Sequence, residues 1–159
     1  LPERMAMEYL RGLCQQNRLA DGGFDLLGHH LELSDIDVPL CAVGCETDHI
    51  APWKDSYRGV QMMGSKDKTF IMTQSGHIAG IVNPPSKGKY GHYTNAATGL
   101  DHEAWLQGAT FHKESWWPRW GDWLANRSKK QIQARNPGDN GQEILGDAPG
   151  TYVTRKARG

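Results

Sequence analysis

Asp48 and His77 are the two residues whose types and placement suit them to act together. Each follows an apolar run at once. Asp48 lies in the polar cluster Glu46-Thr47-Asp48-His49 after Asp37–Gly44 (DVPLCAVG), and His77 in the loop Gln74-Ser75-Gly76-His77 after Lys68–Thr73 (KTFIMT). A carboxylate that fixes the tautomer of an imidazole and stabilises the imidazolium makes that imidazole a general base toward a Ser or Cys nucleophile. With the acid ahead of the histidine, the nucleophile is expected on the amino-terminal side of Asp48, in a Gly-x-Ser/Cys-x-Gly turn between strand and helix. No residue there fits. Cys14 is preceded by Gly12 but followed by Gln15 and Gln16 in a helical pattern, and Ser34 sits between Leu33 and Asp35 with no glycine near. The triad reads as incomplete within this sequence.

The two apolar runs carry the profile of buried strands, the first with a proline near its start. Ala51-Pro52 opens a helix whose Trp53, Tyr57 and Val60 share a face, and Gly64 closes it. Two buried strands joined by such a helix make a βαβ unit, which predicts parallel strands in a covered sheet. Open α/β sheets place their sites just beyond the carboxyl ends of the strands. Asp48 and His77 both fall at that edge, and adjacent parallel strands would bring them close. Ahead of this unit, Pro2 to about Cys14 reads as a helix with Met5, Tyr9 and Leu13 on one face, followed by the turn Asp21-Gly22-Gly23 and a short apolar stretch, Phe24 to Leu27. Beyond His77 the chain reads as irregular through Asn83-Pro84-Pro85 and Lys87-Gly88-Lys89. Helical pieces follow near His102–Gln107 and Ser115–Asn126. In the latter Trp116, Trp120 and Trp123 form a stripe that reads as core or subunit packing rather than a ligand platform. From Arg127 onward polar residues with scattered Gly and Pro predict a partly ordered, surface-running tail.

Composition excludes several classes. The chain has 159 residues, 38% hydrophobic, with 18 basic and 18 acidic side chains and no net charge. That balance fits an ordinary globular protein and argues against an electrostatic nucleic-acid binder, which needs a basic excess. No stretch approaches the roughly 18 apolar residues of a membrane span. The amino end, LPERMAMEYLRG, is charged and lacks the apolar core of a signal peptide, and the absence of an initial Met reads as a processed or excised piece.

Three cysteines, Cys14, Cys41 and Cys45, make no disulfide framework and read as reduced thiols of a cytoplasmic protein. Cys41 and Cys45 match neither a CxxC redox pair nor a zinc spacing, and on a strand they share a face as inert core thiols. There is no GxGxxG, P-loop, HExxH or paired-cysteine zinc pattern, so neither a cofactor nor a metal is expected. His29 and His30 read as surface residues, and His92, His102 and His112 as surface or internally satisfied ones. His49, beside Asp48, either shapes the site or braces its loop by a hydrogen bond.

TDHIAPW (Thr47–Trp53) and SGHIAGIVNPP (Ser75–Pro85) closely resemble the two late active-site motifs of poly(3-hydroxyalkanoate) synthases. The resemblance continues through GHYTN (Gly91–Asn95), WLQGATFHKESWWPRWGDWL (Trp105–Leu124) and APGTYV (Ala148–Val153), and covers the chain from roughly Leu10 to its end. The last block looks like the class I branch, which polymerises short-chain substrates.

The resemblance implies an α/β fold: the C-terminal portion of an α/β-hydrolase fold, with parallel strands, flanking helices and the nucleophile-elbow half absent. Residues 1–126 would be the late part of the catalytic domain and 127–159 a polar C-terminal tail. By position Asp48 and His77 correspond to the family's catalytic Asp and His, with His49 carried as substrate-binding. The family's Cys box, oxyanion-hole segment and cap would lie ahead of Leu1. The implied activity is an acyltransferase joining 3-hydroxyacyl units from coenzyme A thioesters into polyester with release of coenzyme A. This chain alone would be inactive. The implied partners are 3-hydroxyacyl-coenzyme A, the growing polyester, a second copy of the chain and granule-associated proteins, with no nucleic acid. The implied location is cytoplasmic, at the surface of polyester granules. Two other readings stand beside it: a non-catalytic binding or assembly module using the Trp stripe, and a piece of a serine esterase.

Overall fold

The computed structural model describes residues 1–128 and 130–156. The chain divides into two compact units, Leu1–Arg127 and Ser128–Gly159. In the first, α1 (Glu3–Glu8) runs into a π-helical turn, Tyr9–Gln15, and then the hairpin β1 (Phe24–Leu26) and β2 (His29–Leu31). The main sheet and its helices follow as β3 (Leu40–Cys45), α2 (Trp53–Met62), β4 (Lys68–Thr73), β5 (His92–Thr94), α3 (His102–Gln107), β6 (Thr110–His112) and α4 (Trp117–Ala125). In the second unit, a turn in which the Asn136 amide donates to the Asp139 carboxylate (2.6 Å) precedes a 3-10 turn at Tyr152–Thr154.

The βαβ unit forms as its sequence predicts. β3 and β4 are parallel, in a register pairing Leu40 with Lys68 and Cys45 with Thr73. β3 starts at Leu40 rather than Asp37 because Pro39 has no N–H to give, and the first bond of the pair is Leu40 N to the Asp67 carbonyl, 2.8 Å. Trp53, Tyr57 and Val60 are all buried on one side of α2.

The expected parallel pairing holds for β3 and β4 and does not extend across the sheet. Among the described residues the sheet order is β3-β4-β5-β6, with β5 antiparallel to β4 and β6 antiparallel to β5, so the sheet is mixed. β5 and β6 each have three residues, too short to show an alternating pattern, and an antiparallel neighbour needs no helical crossover to announce it. The first helix also departs from expectation. It widens into a π turn at Tyr9, where the buried Gly12 lies against the Phe24 ring. Phe24–Leu31 is a hairpin turning through Leu27 and Gly28, both at positive φ (51° and 82°), which leaves His29 and His30 on an exposed strand.

The two faces of the main sheet have different chemistry. Phe70 and Met72 of β4 pack with Trp53, Tyr57 and Val60 of α2 and Trp105 of α3 into one aromatic core. Tyr57 and Trp105 each present an edge or a tilt to Phe70, at centroid distances of 5.1 and 5.3 Å. Their polar ends are satisfied at the rim: Tyr57 Oη lies 2.9 Å from the Thr98 and Leu100 carbonyls, and Trp105 Nε1 donates to the Asn95 carbonyl at 3.1 Å. The opposite face carries Ile71, Thr73, His92 and His112, and the α4 segment lies there. Of the Trp stripe, Trp116 is buried, Trp123 half-buried and Trp120 exposed, so it is a graded edge rather than a core face.

Trp105 is wholly buried at the centre of the aromatic core. Trp105→Ala is expected to cost about 3–5 kcal/mol, read as a fall in the urea midpoint at unchanged slope.

Candidate active site

The loops bearing Asp48 and His77 are tied together before either side chain is considered. Past the last strand pair, the Glu46 amide donates to the Thr73 carbonyl (2.8 Å) and the Thr47 amide to the Ser75 carbonyl (3.1 Å), so the parallel ladder continues into both loops. The first loop then closes on itself, Asp48 N to Cys45 O at 3.2 Å. The second turns at Ser75, a non-glycine residue at φ +75°, and residues 77–82 coil into a short turn with Gly80 N bonded to Gly76 O (2.9 Å) and Val82 N to Ile78 O (2.8 Å). Gly80 must be glycine. A Cβ there would lie 2.8 Å from the Gln74 carbonyl, 2.9 Å from Cys45 Sγ and 3.0 Å from Thr73 Cγ2.

This brings Asp48 Oδ2 to 2.8 Å from His77 Nδ1. The Asp48 side chain is 6% exposed and that of His77 46%. Asp48 Oδ1 accepts from the amides of Ile50 and Ala51, 2.9 Å each, at the entry to α2. These contacts, the Ala51 amide first and then the His77 ring and the Ile50 amide, outweigh desolvation and lower the Asp48 pKa to about 2. An ionised carboxylate only accepts hydrogen bonds, so Nδ1 of His77 donates to it, and in the neutral ring the lone pair is on Nε2. Nε2 has no partner among the described residues, and the ring is half exposed. The arrangement is an oriented base with its reactive nitrogen facing outward.

The other candidates divide clearly. His49 is exposed and makes no side-chain hydrogen bond among the described residues; Asp48, not His49, braces the loop. The two loops also carry the exposed apolar residues Ile50, Ile78, Ile81 and Val82 around the pair. Cys14 is exposed, Cys41 half-buried and Cys45 buried, and none bonds to His77. Burial raises the thiol pKa of Cys41, and burial followed by the Asp48 charge raises that of Cys45, so neither is poised as a thiolate. His92 is buried and satisfied: Nδ1 donates to the Glu114 carbonyl (2.8 Å), Nε2 accepts from Arg119 Nε (3.0 Å), and the ring stacks on His112 at 4.8 Å. Burial lowers its pKa. An open cavity of about 570 Å³ between α4 and the sheet takes in His92, Arg119, Trp123 and Arg127 but neither Asp48 nor His77. Its arginines are already engaged, Arg119 with His92 and Arg127 with Asp67. No group of three or more His, Cys, Asp or Glu among the described residues could hold a metal ion.

Sequence reasoning missed what holds the histidine loop from the far side. Ser115 Oγ donates to the Asn83 carbonyl, Trp116 Nε1 to the Gly80 carbonyl (3.0 Å) and Trp117 Nε1 to the Ile81 carbonyl (2.9 Å). The only signal available was the run ESWWP itself, because a stripe at helical spacing says nothing of indole N–H direction.

The fold and site thus define an α/β protein with a mixed sheet, flanking helices and an acid–histidine pair at the carboxyl edge of two parallel strands. No family model matches the chain. It is 40% identical over 94% of its length to the poly(3-hydroxyalkanoate) polymerase subunit PhaC of Cupriavidus necator, covering 26% of that protein. It is 39% identical over 94% of its length to PhaC of Rhizobium meliloti and to the poly(3-hydroxyalkanoate) polymerase of Methylorubrum extorquens, covering 24% and 25% of them. The chain therefore belongs with the poly(3-hydroxyalkanoate) polymerases, and it spans about a quarter of the length of these curated relatives.

The carboxyl carbon of Asp48 is expected to titrate with a midpoint of about 2. In His77→Ala it should move only part of the way back to about 3.9, because the two amides remain. A depressed acid pKa stabilises the fold fully above the unfolded value and ceases to do so as pH falls through the folded one. The stability gap between wild type and Asp48→Asn should therefore close between about pH 4 and about pH 2, as followed by acid unfolding.

Proposed function

We propose that this chain supplies the acid and the base of a polyhydroxyalkanoate synthase. The enzyme would be an acyltransferase that joins 3-hydroxyacyl units from coenzyme A thioesters into polyester and releases coenzyme A. The observation that carries the reading is the 2.8 Å contact between Asp48 Oδ2 and His77 Nδ1 at the edge of parallel strands, in a chain similar to proteins named poly(3-hydroxyalkanoate) polymerase. Nε2 of His77 takes the proton of a cysteine thiol, the thiolate attacks the thioester carbonyl, and coenzyme A leaves as its thiol. Asp48 keeps Nδ1 protonated and stabilises the imidazolium. The same carboxylate, through His77, serves a second proton transfer when the 3-hydroxyl of a unit attacks the acyl-enzyme.

The nucleophilic cysteine belongs, in this reading, to a part of the polymerase outside these 159 residues, in an α/β-hydrolase catalytic domain of which residues 1–126 form the late portion. The elevated thiol pKa values of Cys41 and Cys45 support placing it elsewhere. The exposed Ile50, Ile78, Ile81 and Val82 suit an apolar acyl chain or the polymer, with His49 beside them on the substrate side. The working location is the surface of a polyester granule in the cytoplasm, with a second copy of the chain and granule-associated proteins as partners. No cofactor enters this chemistry, since thioester exchange needs only a nucleophile, a base and an acid.

In the polymerase that contains this segment, His77→Ala should cut thiol release from 3-hydroxybutyryl-coenzyme A by about 10³-fold or more while leaving the circular dichroism spectrum intact. Wild-type rates would remove His77 from the mechanism. The 159-residue chain assayed alone should release no thiol above background, and measurable turnover would overturn the external-nucleophile reading.

A further inference from the structure

Among the described residues the ring of His77 is held by one hydrogen bond, to Asp48, and is half exposed. Its position otherwise depends on the backbone of the turn formed by residues 77–82. The first carbonyls of that turn are used internally, Gly76 O by Gly80 N and Ile78 O by Val82 N. Of the carbonyls at its carboxyl end, Ile81 O accepts the Asn83 amide at 3.0 Å within the loop, and their other bonds come from outside. Gly80 O receives Trp116 Nε1 at 3.0 Å and Thr73 Oγ1 at 3.2 Å, and Ile81 O receives Trp117 Nε1 at 2.9 Å. Ser115 Oγ donates to Asn83 O and accepts from the Trp117 amide at 3.1 Å, which fixes the start of α4 against the same loop. Three consecutive side chains thus each donate to one short stretch of backbone.

The burial of these residues separates clamping from packing. Trp117 is 36% exposed, so it contributes little to a core, yet its indole N–H is committed to Ile81. Trp116 is 7% exposed and Trp120, one turn on, is 43% exposed with no indole bond to the loop. An indole N–H donates and never accepts, and the ring has two side-chain torsions, so the pair makes a stiff, one-directional hold on the carbonyls. The floor beneath is equally fixed, since Gly80 leaves no room for a Cβ against Gln74, Cys45 and Thr73.

We propose that Trp116 and Trp117 are positioning residues for His77, setting the height and tilt of its ring over Asp48 through the Gly80 and Ile81 carbonyls. This rests on the reading of Asp48 and His77 as the working pair. A loop freed from this hold keeps its sequence and its acid but lets the imidazole swing, which small displacements of a reacting group punish heavily.

The readout is the proton on His77 Nδ1, observed by NMR in the polymerase that contains this segment, labelled at histidine and assigned by its loss in His77→Gln. Trp117→Phe removes one N–H from a half-exposed ring and should speed exchange of that proton with water about tenfold, the scale of one lost hydrogen bond. Trp116→Phe should act the same way, and Trp120→Phe should leave the rate unchanged. In the polymerase that contains this segment, Trp117→Phe should lower kcat about tenfold with KM for the acyl thioester unchanged, as expected for a loss felt in the transition state. Exchange in Trp117→Phe equal to wild type overturns the clamp; should Trp116→Phe fail to fold, Trp117→Phe alone decides. Faster exchange with unaltered kcat keeps the clamp and instead sinks the catalytic reading of the pair.

Discussion

The register of the parallel pair β3–β4 is the constraint on which the site depends. Cys45 faces Thr73, and the amides of Glu46 and Thr47 carry the ladder on into the loops, so the two chains leave the sheet side by side. A slip of one residue would turn every side chain of a strand to the other face. It would move Phe70 and Met72 out of the aromatic core, which is why the core on one side also fixes the loops at the end. The acid–histidine contact is in this sense a consequence of Trp53, Tyr57 and Trp105 being packed where they are.

Asp48 serves two structures with its two oxygens. One accepts the Ile50 and Ala51 amides just ahead of α2, and the other holds His77. The amides keep the carboxyl ionised far below neutral pH, and an ionised carboxyl in turn decides which nitrogen of His77 carries its proton. Local backbone geometry thereby sets the tautomer of a side chain from another strand. His92 shows the opposite arrangement on the sheet's other face: buried, with both nitrogens bonded and burial lowering its pKa, it is a structural histidine in a stack with His112 and Arg119.

The motif SGHIAGIVNPP acquires a physical reading from these contacts. Ser75 turns the chain at positive φ, Gly80 allows the turn to press on the ends of both strands, and the Asn83 carbonyl accepts from Ser115 while its side-chain Nδ2 donates to the Tyr90 carbonyl at 2.8 Å. ESWWP is its counterpart, a run of donors facing a run of carbonyls. The two motifs lie far apart in the chain and touch in the structure, so neither explains itself alone.

The sequence by itself determined the βαβ unit, the buried face of α2, the strand beginning at Lys68, the short helix near His102, and the placement of Asp48 and His77 at one edge. Those features are local: a run of apolar residues, a helical period, a proline or glycine at a boundary. Tertiary structure alone decided that β5 and β6 close the sheet in antiparallel fashion, that Tyr9–Gln15 widens into a π turn, and that Trp116 and Trp117, rather than His49, reach the histidine loop. Three-residue strands carry no period, and a hydrogen bond from an indole to a carbonyl more than thirty residues away depends on the direction of a side chain, which spacing along the chain does not record.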